Sequence, residues 1–227
     1  TVGERENSRK PLEYASGPGA NPPGELLNYK PDTSVNDGSA ADKAIELSTP
    51  EALAWWAYIS TGKYATIAAD IDLFGTPYTG VAANLVTSTD WGAPSNIEDG
   101  LLWKSPDTTK AHVDGRGNTI KHMHAFSGLL YQALEVRDLT MAEGLVDATG
   151  GFGTYAGAFS SESARDATFT NLVNQSVAVR GSGGSGDCAA GIVGKSSGSS
   201  VFVGCVNQAP VSNAEYYTGG IVGRNYS

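Results

Sequence analysis

His122 and His124 are separated by a single residue, and so are Asp70 and Asp72. On an extended strand, side chains two apart share a face, so each pair can offer two ligands to one point. Imidazoles so placed, joined by His112, are of the type that binds zinc. Carboxylates so placed, joined by Asp90, Glu98 or Asp99, are of the type that binds calcium. Neither set follows a known metal loop: His-Glu-x-x-His is absent, and the acidic residues lack the order of an EF-hand. Met123 and Ala125 are the apolar members of the histidine strand. Turning them inward turns both histidines outward, as exposed surface groups. The aspartates read in the same way, as solvated carboxylates at a strand edge. Calcium or zinc would then be incidental, and no cofactor is expected.

Catalysis on polysaccharides needs paired carboxylates, or carboxylates with a base. Asp138 is followed one repeat later by Asn171 and then by Gly204, so no acidic column forms. Asp114 with Arg116 reads as turn chemistry. No Gly-x-Ser-x-Gly sits between a strand and a helix with His and Asp partners. Gly181–Gly186 lacks the Lys-Ser/Thr ending of a phosphate cradle. No catalytic residue is assigned. Tyr78, Trp91, Trp103, Tyr216 and Tyr217 are the aromatics that could stack on sugar rings. Their alternative role is to cover the side of the fold.

The element that must position these groups is a repeat. A glycine followed by apolar residues recurs at Gly128, Gly157, Gly191 and Gly220, with spacings of 29, 34 and 29 residues. In phase with it, Asn171-Leu172-Val173-Asn174-Gln175 recurs 33 residues later as Gly204-Cys205-Val206-Asn207-Gln208, and Arg137-Asp138-Leu139-Thr140 precedes it. Two motifs that keep one period imply one unit stacked on copies of itself. A repeat of that length accommodates three short strands and three turns. For residues 169–201 the strands are expected at Thr170–Gln175, Ser176–Arg180 and Gly191–Lys195. The expectation is an all-β fold, a three-sided parallel β-helix. Leu139, Leu172 and Cys205 would form one inward stack, and Phe159, Val193 and Val222 would contribute to another. Asn174 and Asn207 would hydrogen-bond between rungs as an amide ladder.

A short helix is expected over 48–60. Ser48 or Thr49 would cap it, with Pro50 in its first turn and Gly62 just beyond its end. Leu53, Trp56, Ala57 and Ser60 would share one face. Its expected role is to cover the N-terminal end of the coil, where an open strand edge needs a cap. Residues 1–43, rich in Gly, Pro, Asn and Ser, read as an irregular arm or linker. Residues 44–227 read as the β-helix domain, with a long excursion at 75–112 and continuation expected in a parent protein.

Composition agrees with many short strands and turns. Of 227 residues 29 are glycine, and charged residues make up only 17%. The net charge of −9 disfavours binding to phosphate backbones or anionic membranes. No apolar run approaches the length of a membrane span, so insertion of this segment is not expected. Two cysteines, Cys188 and Cys205, leave a disulfide and two free thiols equally open.

The order of motifs resembles that of bacterial cell-surface proteins carrying GLUG motifs, also found outside the catalytic machinery of streptococcal immunoglobulin A proteases. Ile45-Glu46-Leu47-Ser48-Thr49-Pro50-Glu51-Ala52-Leu53 resembles the family's strand-to-helix segment, and Ala69-Asp70-Ile71-Asp72-Leu73 its next strand. Asp114-Gly115-Arg116-Gly117-Asn118-Thr119-Ile120 is similar to its DGNGHTI-like turn. Here Arg116 stands where Asn is commoner and Asn118 where His is. Gly128-Leu129-Leu130-Tyr131 and Gly219-Gly220-Ile221-Val222-Gly223 are similar to its glycine-led repeats. The resemblance implies a right-handed β-helix on an exported bacterial protein, extracellular or at the cell surface. The expected function is a non-catalytic module, adhesin-like or a stalk, whose partner is a host or bacterial surface glycan or protein. A carbohydrate-active or carbohydrate-binding domain and an accessory domain of an exported protease are the alternatives. Oligomeric state is not legible.

Overall fold

The computed structural model describes residues 29–73, 103, 109–125, 127–148, 155–181, 186–212 and 216–226. Most of the expected arm and excursion, with Tyr78, Asp90, Trp91, Glu98 and Asp99, lies outside the described residues.

Among the described residues the chain is mostly β, with one α-helix. In order the elements are β1 (Ile45–Leu47), α1 (Pro50–Ile59), β2 (Tyr64–Ile67), β3 (Ile71–Asp72), β4 (Ala111–Asp114), β5 (Thr119–Lys121), β6 (His124–Ala125), β7 (Leu130–Ala142), β8 (Gly144–Asp147), β9 (Tyr155–Gly157), β10 (Ser160–Asn174), β11 (Val177–Arg180), β12 (Cys188–Ala190), β13 (Val193–Ser197), β14 (Val201–Val203), β15 (Val206–Asn207), β16 (Val211–Ser212), β17 (Tyr217–Gly219) and β18 (Val222–Tyr226).

Every strand pairing among the described residues is parallel. The largest sheet runs β1-β2-β4-β7-β10-β13-β18, with β14 and β15 on β10, and with β5 between β3 and β7. A second sheet runs β16-β11-β8-β6 and a third β17-β12-β9. A 33-residue step recurs in each of the three: Asn174 faces Asn207, Asp147 faces Arg180, and Tyr155 faces Cys188. The expected third strand is corrected. Gly191–Lys195 contributes β13 to the same sheet as β10, while the third sheet takes Cys188–Ala190. A run of small residues buried throughout gives no alternation to read.

The bends of the long strands have a sequence basis. Asp138, Asn171 and Gly204 have φ of 50°, 53° and 63°. They are stacked, because Leu139 faces Leu172 and Val173 faces Val206. Asp, Asn and Gly are the residues that tolerate this left-handed region best. The Asn171 amide donates to Asp138 Oδ1 at 2.8 Å and ties two of the bends together.

The core lies between the sheets. Leu139 and Leu172 are fully buried in register, with Cys205 packed against them. Phe169 stacks on Phe202 at 4.9 Å with ring planes 6° apart. The expected stack of Phe159 with Val193 and Val222 is corrected by one residue. Val193 and Val222 are in register with Ser160 and Leu130. Phe159 instead falls in line with Leu129 and Ile192, its N–H bonding Ile192 O at 3.1 Å. The motif glycines at 157 and 191 are 34 residues apart, but Gly157 pairs with Ala190, and a slip of one changes the facing side chain.

Gly157 shows why the repeat carries glycine. A Cβ there would lie 2.4 Å from Ser160 O and 2.6 Å from Gly194 N, both backbone atoms of packed strands. At Gly220 a Cβ would meet nothing within 4 Å. Gly157→Ala is expected to cost about 2 kcal/mol by overpacking, whereas Gly220→Ala is expected to be neutral. Urea unfolding of the two variants checks this, and equal midpoints would refute it.

The amide ladder is also corrected. Asn174 and Asn207 do face each other, but both Asn174 N–H groups are already used, on Val177 O at 3.0 Å and Gly191 O at 3.1 Å. Asn207 bonds the backbone of Ala209. Each amide holds a turn rather than its neighbour.

Helix α1 joins parallel strands β1 and β2. Thr49 is its cap, accepting from Ala52 N at 3.2 Å, with Pro50 following; Gly62, φ 64°, turns the chain after it. Burial extends beyond the expected face of Leu53, Trp56, Ala57 and Ser60 to Ala52, Ala54 and Trp55. A helix that is apolar on all sides is held by packing on all sides.

Candidate functional surface

The charged groups of β4 and β7 gather on the face opposite the core. Val113 and Val136 point inward and are buried, so their strand neighbours His112, Asp114, Glu135 and Arg137 stand on the other side. The register brings Glu46, Thr66, Asp114 and Arg137 into one row, and Tyr64, His112 and Glu135 into the next. All of these except Glu46 line a trough of about 270 Å³, together with Arg116.

Its charges answer one another. Arg137 donates to Asp114 at 2.8 Å and lies 3.7 Å from Glu135. Arg116 reaches Glu46 at 3.3 Å. His112 Nδ1 is 3.3 Å from Glu135, and the His112 ring stacks on Tyr64 at 3.9 Å. The hydrogen bond to Asp114, then its charge, raises the pKa of Arg137 and holds its guanidinium protonated. Such a trough can present paired charges and one ring stack to a partner, but its carboxylates are already engaged. These residues could not be picked from the sequence, because Asp114 and Arg137 are 23 residues apart, off the 33-residue period.

The expected metal groups separate. Asp70 Oδ1 accepts from Thr119 N at 2.8 Å. Asp72 instead meets His122 Nδ1 at 2.6 Å, and His122 Nε2 meets Glu143 at 2.8 Å. The reading of both histidines as exposed is corrected. The His122 side chain is only 15% exposed and His124 7%. His122 has φ 57°, so the strand breaks there and alternation does not continue through it. His124 pairs with Leu145 beside Asp147 and Arg180. Burial lowers its pKa to about 4; the Asp147 charge opposes that shift and Arg180 adds to it. His112 lies with Glu135, away from both. Among the described residues, no group of three or more His, Cys, Asp and Glu side chains is arranged to hold a metal ion.

Trp103 is likewise corrected. It is 3% exposed, and its indole N–H donates to Leu129 O at 2.8 Å, so it belongs to the core and cannot stack on a sugar. Tyr216 and Tyr217 are exposed at 51% and 39%, their ring centroids 6.3 Å apart. Beside them Arg224 lies over the rings of Tyr217 and Tyr226, at 4.4 and 4.0 Å. The sequence flagged the two tyrosines but not Arg224, whose ring neighbours lie on β17 and on its own strand, β18.

Both cysteines are free thiols. Cys188 lies on the third sheet and Cys205 beside the first. Burial is the first cause that raises both thiol pKa values, Cys188 to about 11, so neither is a ready nucleophile at neutral pH. Among the described residues no helix is long and apolar enough to cross a membrane. Compared with known proteins, the chain matches no family model, no curated protein and no solved structure.

Proposed function

We propose that the chain is a right-handed, three-sided parallel β-helix related to the GLUG-motif surface proteins. Helix α1 covers its N-terminal end. It serves as a non-catalytic module of a secreted or surface-anchored bacterial protein, adhesin-like or a stalk. The observation that carries this reading is that a 33-residue step recurs in each of three parallel sheets. A chain that repeats its own packing gains length and stiffness with each coil. The paired charges along the trough fit a surface that presents shape rather than reacts. Carbohydrate binding is the second reading, favoured by the exposed Tyr216 and Tyr217.

The test is incubation with mucins and with bacterial and plant polysaccharides, reading retention and new reducing or unsaturated ends on the same samples. Retention without cleavage is expected. New chain ends would overturn the non-catalytic reading, and absence of both would leave the stalk.

A further inference from the structure

Lysines and arginines on the described strands meet an acid, with one exception. Lys121 pairs with Glu143, Arg137 with Asp114, Arg165 with Asp166, Arg180 with Asp147 and Lys195 with Glu162, at 2.8–3.8 Å. Arg224 on β18 has no acidic partner among the described residues, and its contacts are the two tyrosine rings. It stands in register with Lys195, so two like charges occupy neighbouring strands. Opposed like charges cost stability in a sheet. The rings hold them there: Lys195 Nζ is 4.5 Å from the Tyr155 centroid and 5.1 Å from that of Tyr226. Cation–π contact fixes a charge in place without neutralising it. A guanidinium whose faces lie against rings keeps its N–H edge for a two-oxygen acceptor.

We propose that Arg224, with the exposed Tyr216, binds a saccharide carrying an isolated acidic group. The carboxylate or sulfate sits on the guanidinium edge, and the sugar ring lies against Tyr216. The net charge of −9 opposes nucleic acid or an anionic bilayer, which need a broad basic surface, but one uncompensated cation suffices for one acid. The site rests on the reading of the chain as a surface-binding module.

Calorimetric titration with sialyllactose, lactose 3′-sulfate, lactose and a tetraglutamate peptide tests it. Sialyllactose reports a carboxylate source and the sulfate ester the other; binding of at least one is expected. Lactose is expected to bind at least tenfold more weakly. Arg224→Gln should weaken the acidic sugar at least tenfold, and Arg224→Lys should restore only part of that. Tyr216→Ala, at an exposed position, should weaken it several-fold, and it decides the matter if the arginine variants misfold. The proposal is overturned if neither acidic sugar binds, if lactose or tetraglutamate binds as tightly, or if folded Arg224→Gln binds unchanged. Mucin retention that survives Arg224→Gln removes this site and leaves the surface-module reading standing. New chain ends remove that reading whatever Arg224 does.

Discussion

Replacing Asn174 by Ala is expected to lower the unfolding free energy by about 3 kcal/mol or more. The side chain is fully buried, and its three hydrogen bonds all go to backbone. Its carbonyl accepts from Val177 N at 2.9 Å, and its amide donates to Val177 O and Gly191 O. The substitution therefore takes the partner from one buried N–H and two carbonyls and leaves a void beside them. A buried polar group without its partner costs about 1–3 kcal/mol, well above the net value of a typical hydrogen bond. Asn207 faces Asn174 on the neighbouring strand but is only half-buried, and it bonds Ala209 alone. Asn207→Ala is expected to cost about 1 kcal/mol. Urea unfolding with unchanged m-values measures both. If Asn174→Ala costs no more than Asn207→Ala, the turn at β10–β11 does not depend on the amide.

Acidification is expected to remove about 3 kcal/mol through His124 alone, at about 1.4 kcal/mol per pKa unit. Its ordinary pKa of 6.5 falls to about 4 in the fold, first because burial disfavours the imidazolium. Its Nε2 is buried without a hydrogen-bond partner. Between those two pH values the unfolded chain binds the proton and the folded chain does not. Stability therefore rises with pH across the window. The His124 contribution is complete above pH 6.5 and is lost as pH falls towards about 4. His124→Leu removes the titrating group and the unpartnered nitrogen together, so it should match or exceed the parent in stability at pH 7. Carboxylates weaken both proteins in acid, and the difference between their unfolding free energies at pH 7 and pH 4 isolates the histidine. Equal pH slopes would mean that His124 is solvated in the fold.

The repeat was legible because period and composition act locally. Leu139 and Leu172 are apolar at the 33-residue step, and the structure puts them face to face. The helix after β1 was legible for the same reason: Thr49, Pro50 and Gly62 carry their capping and turning preferences in their own covalent structure. The column of Asp138, Asn171 and Gly204 was visible as residues, but its meaning was not. Read as chemistry it was a missing acidic column; in the fold it is a line of left-handed bends.

The parallel all-β class, the period and the place of the helix could be read from the residues in order, because each follows from local preference repeated along the chain. Tertiary structure alone decided which side chains meet. Alternation assigned His122 and His124 to solvent, yet the left-handed residue at His122 breaks the strand and both are largely covered. A 34-residue motif spacing misaligned Phe159, because glycines mark turns while backbone hydrogen bonds set register. The trough of Asp114, Glu135 and Arg137 and the cage around Arg224 join strands whose separations differ from the main period. Charge pairing across a sheet depends on register, and register is settled only when the core has packed.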